Sequence, residues 1–176
     1  MIFGLSSPTY SGVSPSDNPL MWLFDRCVEY GCKALEASLP LNGTDTPSEV
    51  EQKATDLGIA YVGYWSEDFV TPEGGGAGLL DRGRSALDVA AECGCSTVVS
   101  FGNGGKHNRF TDAPPLATQL DRVVNHLAPV AEAAAERNLR ICLLPHLDYR
   151  GHEMLSVAQR IDHPALRMAF DTTNPF

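Results

Sequence analysis

The sequence predicts an α/β protein, a parallel (β/α) TIM-type barrel that is incomplete, with about six of the eight β/α units of a closed barrel in a single domain over residues 1–176. Three observations predict it. Short apolar runs alternate along the whole chain with longer amphipathic stretches. Three of those stretches end alike, at Glu29-Tyr30-Gly31-Cys32, Asp56-Leu57-Gly58-Ile59 and Glu92-Cys93-Gly94-Cys95, each a helix end followed by a glycine able to take positive φ. The apolar runs are continuous rather than alternating, so both faces are expected to be covered, as in a parallel sheet joined by crossover helices. The barrel is preferred to a doubly wound sheet because the first run leads into Ser6-Ser7-Pro8-Thr9-Tyr10, with no G-x-G-x-x-G phosphate loop.

The elements follow in order. Ile2–Leu5 reads as the first strand, and Leu20–Tyr30 sets Leu20, Leu23, Phe24, Cys27 and Val28 at helical spacing. Lys33–Ser38 is the second strand. Thr46-Pro47-Ser48-Glu49 opens the next helix as a capping box with proline at its first position. Ile59–Trp65 has the β-branched and aromatic content of a strand. Leu79–Cys93 is helical and Ser96–Phe101 is the fourth strand. The alanine-rich Leu116–Arg137 is a long helix, followed by the strand Leu139–Leu144, the helix Glu153–Ile161 and the strand Leu166–Phe170.

Composition narrows the function classes. Hydrophobic residues make up 43% and charged residues 20%, which suits a folded globular chain. The net charge of −9 opposes attraction to nucleic acid or anionic membranes. No basic leader precedes the apolar start, and no apolar run approaches the roughly 20 residues of a bilayer span. A cytoplasmic location is therefore expected. The five cysteines are odd in number, and Cys93-Gly94-Cys95 lacks the two-residue gap of zinc and redox pairs, so they read as buried thiols.

Polar residues follow the apolar runs: Glu36, Trp65-Ser66-Glu67-Asp68, Gly102-Asn103, His146-Leu147-Asp148 and Asp171-Thr172-Thr173-Asn174. Barrel enzymes gather their sites at those strand ends. Ile2-Phe3-Gly4-Leu5-Ser6-Ser7, Lys33-Ala34-Leu35-Glu36, Leu143-Leu144-Pro145-His146 with Asp148, and above all the D-T-x-N run of Asp171-Thr172-Thr173-Asn174 resemble the xylose isomerase-like barrels. That group comprises sugar (phosphate) isomerases and epimerases, dehydratases, and nucleases related to endonuclease IV. The resemblance implies a divalent metal (Mn, Mg, Zn or Co) that polarises a sugar carbonyl while carboxylates move a proton on the neighbouring carbon. Carried over, it makes Asp171 a metal ligand, Asn174 and Thr172 supporting residues, and His146 the catalytic histidine at the fifth strand. It also shows a departure: Leu144 stands where the fifth-strand carboxylate belongs, and leucine neither ligates a cation nor carries a proton.

Each candidate has a structural alternative. Asp171 could bond nearby amides in an Asx turn, and His146 could be a satisfied histidine. Glu36 is a candidate for binding substrate hydroxyls or a carboxylate held by backbone groups. Trp65 and Tyr64 end a strand where a ring could stack on a sugar, with core packing expected for one of them. His107, in Gly104-Gly105-Lys106-His107-Asn108-Arg109, lies in a loop suited to a substrate phosphate or simply to solvent. His126 and His163 receive no role.

The expected function is that of a sugar isomerase or epimerase acting on a small keto-sugar or cyclic polyol, with no nucleic acid or membrane partner. The alternative is a metal-free binding or partner subunit, supported by Leu144. A nuclease is disfavoured by the acidic charge and by Tyr64-Trp65-Ser66, which places no histidine at the third strand end. Because two edge strands would be left open, the sequence is read as a fragment of a longer chain, with completion by a second chain or copy, or a degenerate open barrel, as the alternatives.

Overall fold

The computed structural model describes residues 2–6, 19–41, 44–71, 76–101, 107–146 and 149–170. The elements are β1 (Gly4–Ser6), α1 (Pro19–Glu29), β2 (Ala34–Ser38), α2 (Pro47–Leu57), β3 (Ala60–Tyr64), α3 (Gly76–Glu92), β4 (Thr97–Phe101), α4 (Leu116–Glu136), β5 (Arg140–Leu144), α5 (Gly151–Ile161) and β6 (Leu166–Met168). All six strands are parallel, and their order in the sheet is their order in the chain. A doubly wound sheet would reverse direction at a switch point, and this one does not. Among the described residues, β1 and β6 each have a neighbour on one side only.

Local chemistry explains the boundaries. The α2 capping box forms: the Glu49 amide donates to Thr46 Oγ1 at 3.3 Å, and the Thr46 amide donates to Glu49 Oε2 at 2.8 Å. The three repeated junctions are Schellman turns. In each, the residue after the glycine donates back five positions, as Cys32 does to Cys27 at 2.8 Å, Ile59 to Ala54 at 2.9 Å and Cys95 to Ala90 at 3.0 Å. Gly31, Gly58 and Gly94 hold φ of 68°, 62° and 73°. The same turn ends α4 without glycine, because Asn138 takes φ of 56° and Leu139 donates to Ala134 at 2.9 Å.

The core lies between the sheet and its helices. Leu35, Ala37, Tyr61, Val98, Ile141 and Leu143 point from the strands under α1 to α5 and are buried. They meet Phe24 and Cys27 of α1, Val50 of α2, Leu87 and Ala90 of α3, Leu127 and Val130 of α4, and Met154 and Val157 of α5. The alternate residues form the inner face, running as Ser6, Glu36 and Val62 across β1 to β3 and as Tyr64, Val99 and Cys142 across β3 to β5. All five cysteines are free. Burial pushes the Cys27 thiol up to about 11 and those of Cys93 and Cys95 up to about 12, so they stay protonated and unreactive. No helix among the described residues is long and apolar enough to cross a membrane.

Candidate functional site at the strand tips

Glu36 is placed by alternation: it shares the inner face of β2 with Ala34 and Ser38, while Leu35 and Ala37 are buried beneath the helices. The parallel register sets Ser6 beside it, and the Ser6 hydroxyl donates to Glu36 Oε1 at 2.6 Å. One carboxylate oxygen of Glu36 therefore already has a donor.

Beyond β2 the inner face becomes aromatic. Tyr64 at the tip of β3 meets Phe101 at the tip of β4 edge-on, with ring centroids 5.1 Å apart. Phe101 in turn stacks on His146, 4.6 Å away and inclined by 24°. Offset ring pairs of this kind fix their members' orientation. Leu144 pairs in register with Phe101 and lies two residues before His146, so the tip of β5 is apolar on its inner side. Ser6, Glu36, Tyr64, Phe101, Leu144 and His146 are all partly exposed.

Trp65 lies elsewhere. It follows the last residue of β3, faces the helix side of the sheet, and is 3% exposed. Its indole packs edge-on against Phe69 at 5.7 Å and beneath Gly83 of α3. The expectation that Trp65 contacts substrate is corrected on this ground, since no face of the ring is open. Tyr64, one residue earlier, is the aromatic on the inner face.

The loops above the tips are braced by side chains from the helices. The Asp68 carboxylate is disfavoured by burial, but the Thr71 hydroxyl, the Thr71 and Val70 amides and the nearby His107 outweigh this and hold its pKa below the usual range. His107 Nδ1 lies 3.7 Å from Asp68 Oδ1, so this histidine, which sequence reading offered to a phosphate, is beside an anion. Arg109 Nη1 lies 3.3 Å from Glu153 Oε1, which is itself buried at the start of α5. The wholly buried Gln119 donates to Asn108 O, Thr111 Oγ1 and Pro114 O at 3.1, 3.1 and 2.9 Å, and accepts from the Tyr149 hydroxyl. Arg122 and His126 of α4 reach the Val70 and Phe69 carbonyls at 3.0 and 2.6 Å. His126, given no role from the sequence, thus braces the segment after β3. His163 caps its own turn, accepting from the Ala165 amide at 3.1 Å.

Asp171 and Asn174, together with Thr172 and Asp148, lie outside the described residues. Among the described residues no group of three or more His, Cys, Asp or Glu side chains could hold a metal ion. The inner tips offer Glu36 on β2 and an aliphatic Leu144 on β5. This donor set does not fit a metal ion by itself. A separate cleft of about 250 Å³ lies at the opposite ends of the strands, lined by Glu51, Thr55, Gly58, Tyr61 and Gly94 among others.

Comparison with known proteins agrees with this architecture. A family model described as xylose isomerase-like TIM barrel matches residues 24–176. Among solved structures, the chain is similar to L-ribulose 3-epimerase, with TM-score 0.79 and 17% identity over 94% of this chain and 59% of that one. It is also similar to the probable 3-DHS dehydratase involved in petrobactin synthesis from Bacillus anthracis, with TM-score 0.77 and 14% identity over 99% of this chain and 64% of that one. An AP endonuclease, family 2, from Brucella melitensis has TM-score 0.76 and 13% identity over 99% and 70% of the two chains. At these identities the likeness establishes the fold alone. The chain spans 59% of the length of the L-ribulose 3-epimerase chain it matches. No curated protein sequence matches it.

Proposed function

The chain belongs to the xylose isomerase-like TIM barrel family, and on that premise we propose that its strand tips bind a small carbohydrate, a keto-sugar or cyclic polyol, as a sugar isomerase or epimerase does. One observation carries this reading: the Ser6–Glu36 pair stands on the inner face of adjacent strands beside the aromatic run Tyr64–Phe101–His146. A carboxylate accepts hydrogen bonds from hydroxyls, and aromatic rings take the C–H face of a sugar. Those are the two surfaces that a polyhydroxylated molecule presents.

In this reading Glu36 receives substrate hydroxyls, and His146, held against Phe101, moves a proton at the carbonyl end. His107 and Asn174 are proposed as further substrate contacts, with Asp171 as the acidic group following β6. A divalent cation, when bound, would polarise the substrate carbonyl. Leu144 leaves that cation without a β5 ligand, so no step is routed through it. The partner is a small carbohydrate rather than nucleic acid, in keeping with the net charge of −9.

Proton transfer beside a carbonyl exchanges that carbon's hydrogen with solvent. Incubating the protein with D-fructose in D2O, with and without added Mn2+, is expected to erase the proton signal on a carbon adjacent to the carbonyl. Unchanged spectra under both conditions would overturn the catalytic reading. Leu144 favours a second reading, binding without turnover, for which D-fructose binds and no exchange occurs.

A further inference from the structure

We infer that Gln119 and Glu153 are positioning residues: they lock the segments that precede α4 and α5 into one unit, so that His107 and His146 hold a fixed relation across the strand tips. The consequence for a ligand rests on the strand-tip reading above, whereas the tie itself does not.

Gln119 and Glu153 are two of the three buried polar or charged side chains among the described residues, the other being Ser100. Each joins the same two segments. Gln119 on α4 donates to Asn108 O at 3.1 Å and accepts from the Tyr149 hydroxyl at 2.8 Å. Glu153, in the first turn of α5, has Oε1 3.3 Å from Arg109 Nη1, and its Oε2 accepts from the Arg150 amide at 2.7 Å. Consecutive residues on one segment, Asn108 and Arg109, are thus tied in parallel to consecutive residues on the other, Tyr149 and Arg150. A single tie would leave a hinge about which the segments could turn, and a second beside it removes that freedom. Both ties end next to a histidine. His107 directly precedes Asn108, and the Tyr149 amide donates to His146 O at 3.2 Å. Their rings are held at the far side by Asp68, 3.7 Å from His107, and by Phe101, stacked on His146. Packing of α4 alone would be served by leucine at position 119; the carboxamide adds the two-ended connection. Secluded from water, such bonds are stronger and costlier to leave unmade. A ligand that displaces His146 therefore moves His107 with it, through a contiguous chain of bonded groups.

The test places a conservative change on one segment and reads the histidine on the other. The intact chain is labelled with 13C-histidine, its imidazole signals are recorded by NMR without ligand, and circular dichroism shows that each variant folds. Tyr149→Phe is expected to shift the His107 signals. Thr111→Val removes the hydroxyl that accepts from Gln119 and donates to Asn108 O, and it should shift the His146 signals, which report the stack on Phe101. Gln119→Leu should shift both, and so should Glu153→Gln. His163, between α5 and β6, should stay in place. If each variant moves only the histidine on its own segment, or moves His163 as far as the others, the inference is overturned. D-fructose added to the unaltered chain is then expected to shift His107 and His146 along one curve, and His146 moving alone would contradict the coupling. No response of either histidine to D-fructose would count against the proposed function, while the ligand-free signals decide the tie by themselves.

Discussion

The Tyr149 hydroxyl donates a 2.8 Å hydrogen bond to Gln119 Oε1 in the interior, joining the segment after β5 to α4. The other end of the same carboxamide holds Asn108, Thr111 and Pro114, from the segment after β4. One buried side chain thus ties together two of the loops that border the strand tips. Gln119→Leu keeps the bulk but removes a donor that three oxygens share, together with the acceptor of Tyr149. It is expected to cost about 2–3 kcal/mol in urea unfolding. Tyr149→Phe should cost about 1 kcal/mol, and the double variant should fall short of the sum, since the two groups act on one bond.

Asp68 gives a pH dependence of known sign. Its carboxylate has a folded-state pKa below the usual range, because hydrogen bonds from Thr71 and Val70 outweigh its burial. Such a group contributes stability that is present above the unfolded value of about 3.9 and is lost as the pH falls through the lower folded value. Unfolding midpoints measured from pH 6 to pH 3 should therefore drop at the acid end. Asp68→Asn should lower stability at pH 6 and flatten that part of the curve, and a curve of unchanged shape would remove Asp68 as a cause.

Gly83 lies where α3 passes closely over Trp65. A Cβ at this position would sit 3.1 Å from Trp65 Cη2 and 3.2 Å from Val130 Cγ1. Gly83→Leu is expected to destabilise by about 2–3 kcal/mol through overpacking and to shift the tryptophan emission to longer wavelength as the indole is displaced. Unchanged stability and emission would mean that α3 packs less closely than described.

Most of the fold was legible because local chemistry and global topology agree. Apolar runs, the Thr46–Glu49 box and Gly31, Gly58 and Gly94 each mark a boundary that the structure confirms. The errors arose where one residue of register decides a face. Extending β3 by one residue to Trp65 led to placing that ring at the mouth, whereas alternation puts Tyr64 there and Trp65 under α3. Asn138 ends α4 without the glycine that marks the other helix ends, because asparagine also tolerates the left-handed conformation. Gln119 carried a readable mark, a polar residue on the apolar stripe of α4 among Leu116, Leu120 and Val123. Its partners are 5 to 30 residues away, however, and only the folded chain brings them together. The Phe101–His146 stack was hidden for the same reason, since Phe101 ends β4 and His146 follows β5, 45 residues later in the chain.

The central claim, that the inner strand tips are the ligand site, is tested most directly by mapping backbone amide shifts while D-fructose is added to saturation. The account predicts that Ser6, Glu36, Tyr64, Phe101 and His146 move together along one binding curve. Shifts that gather instead around Glu51, Thr55 and Gly94, at the cleft on the opposite end of the strands, or the absence of any shift, would contradict it.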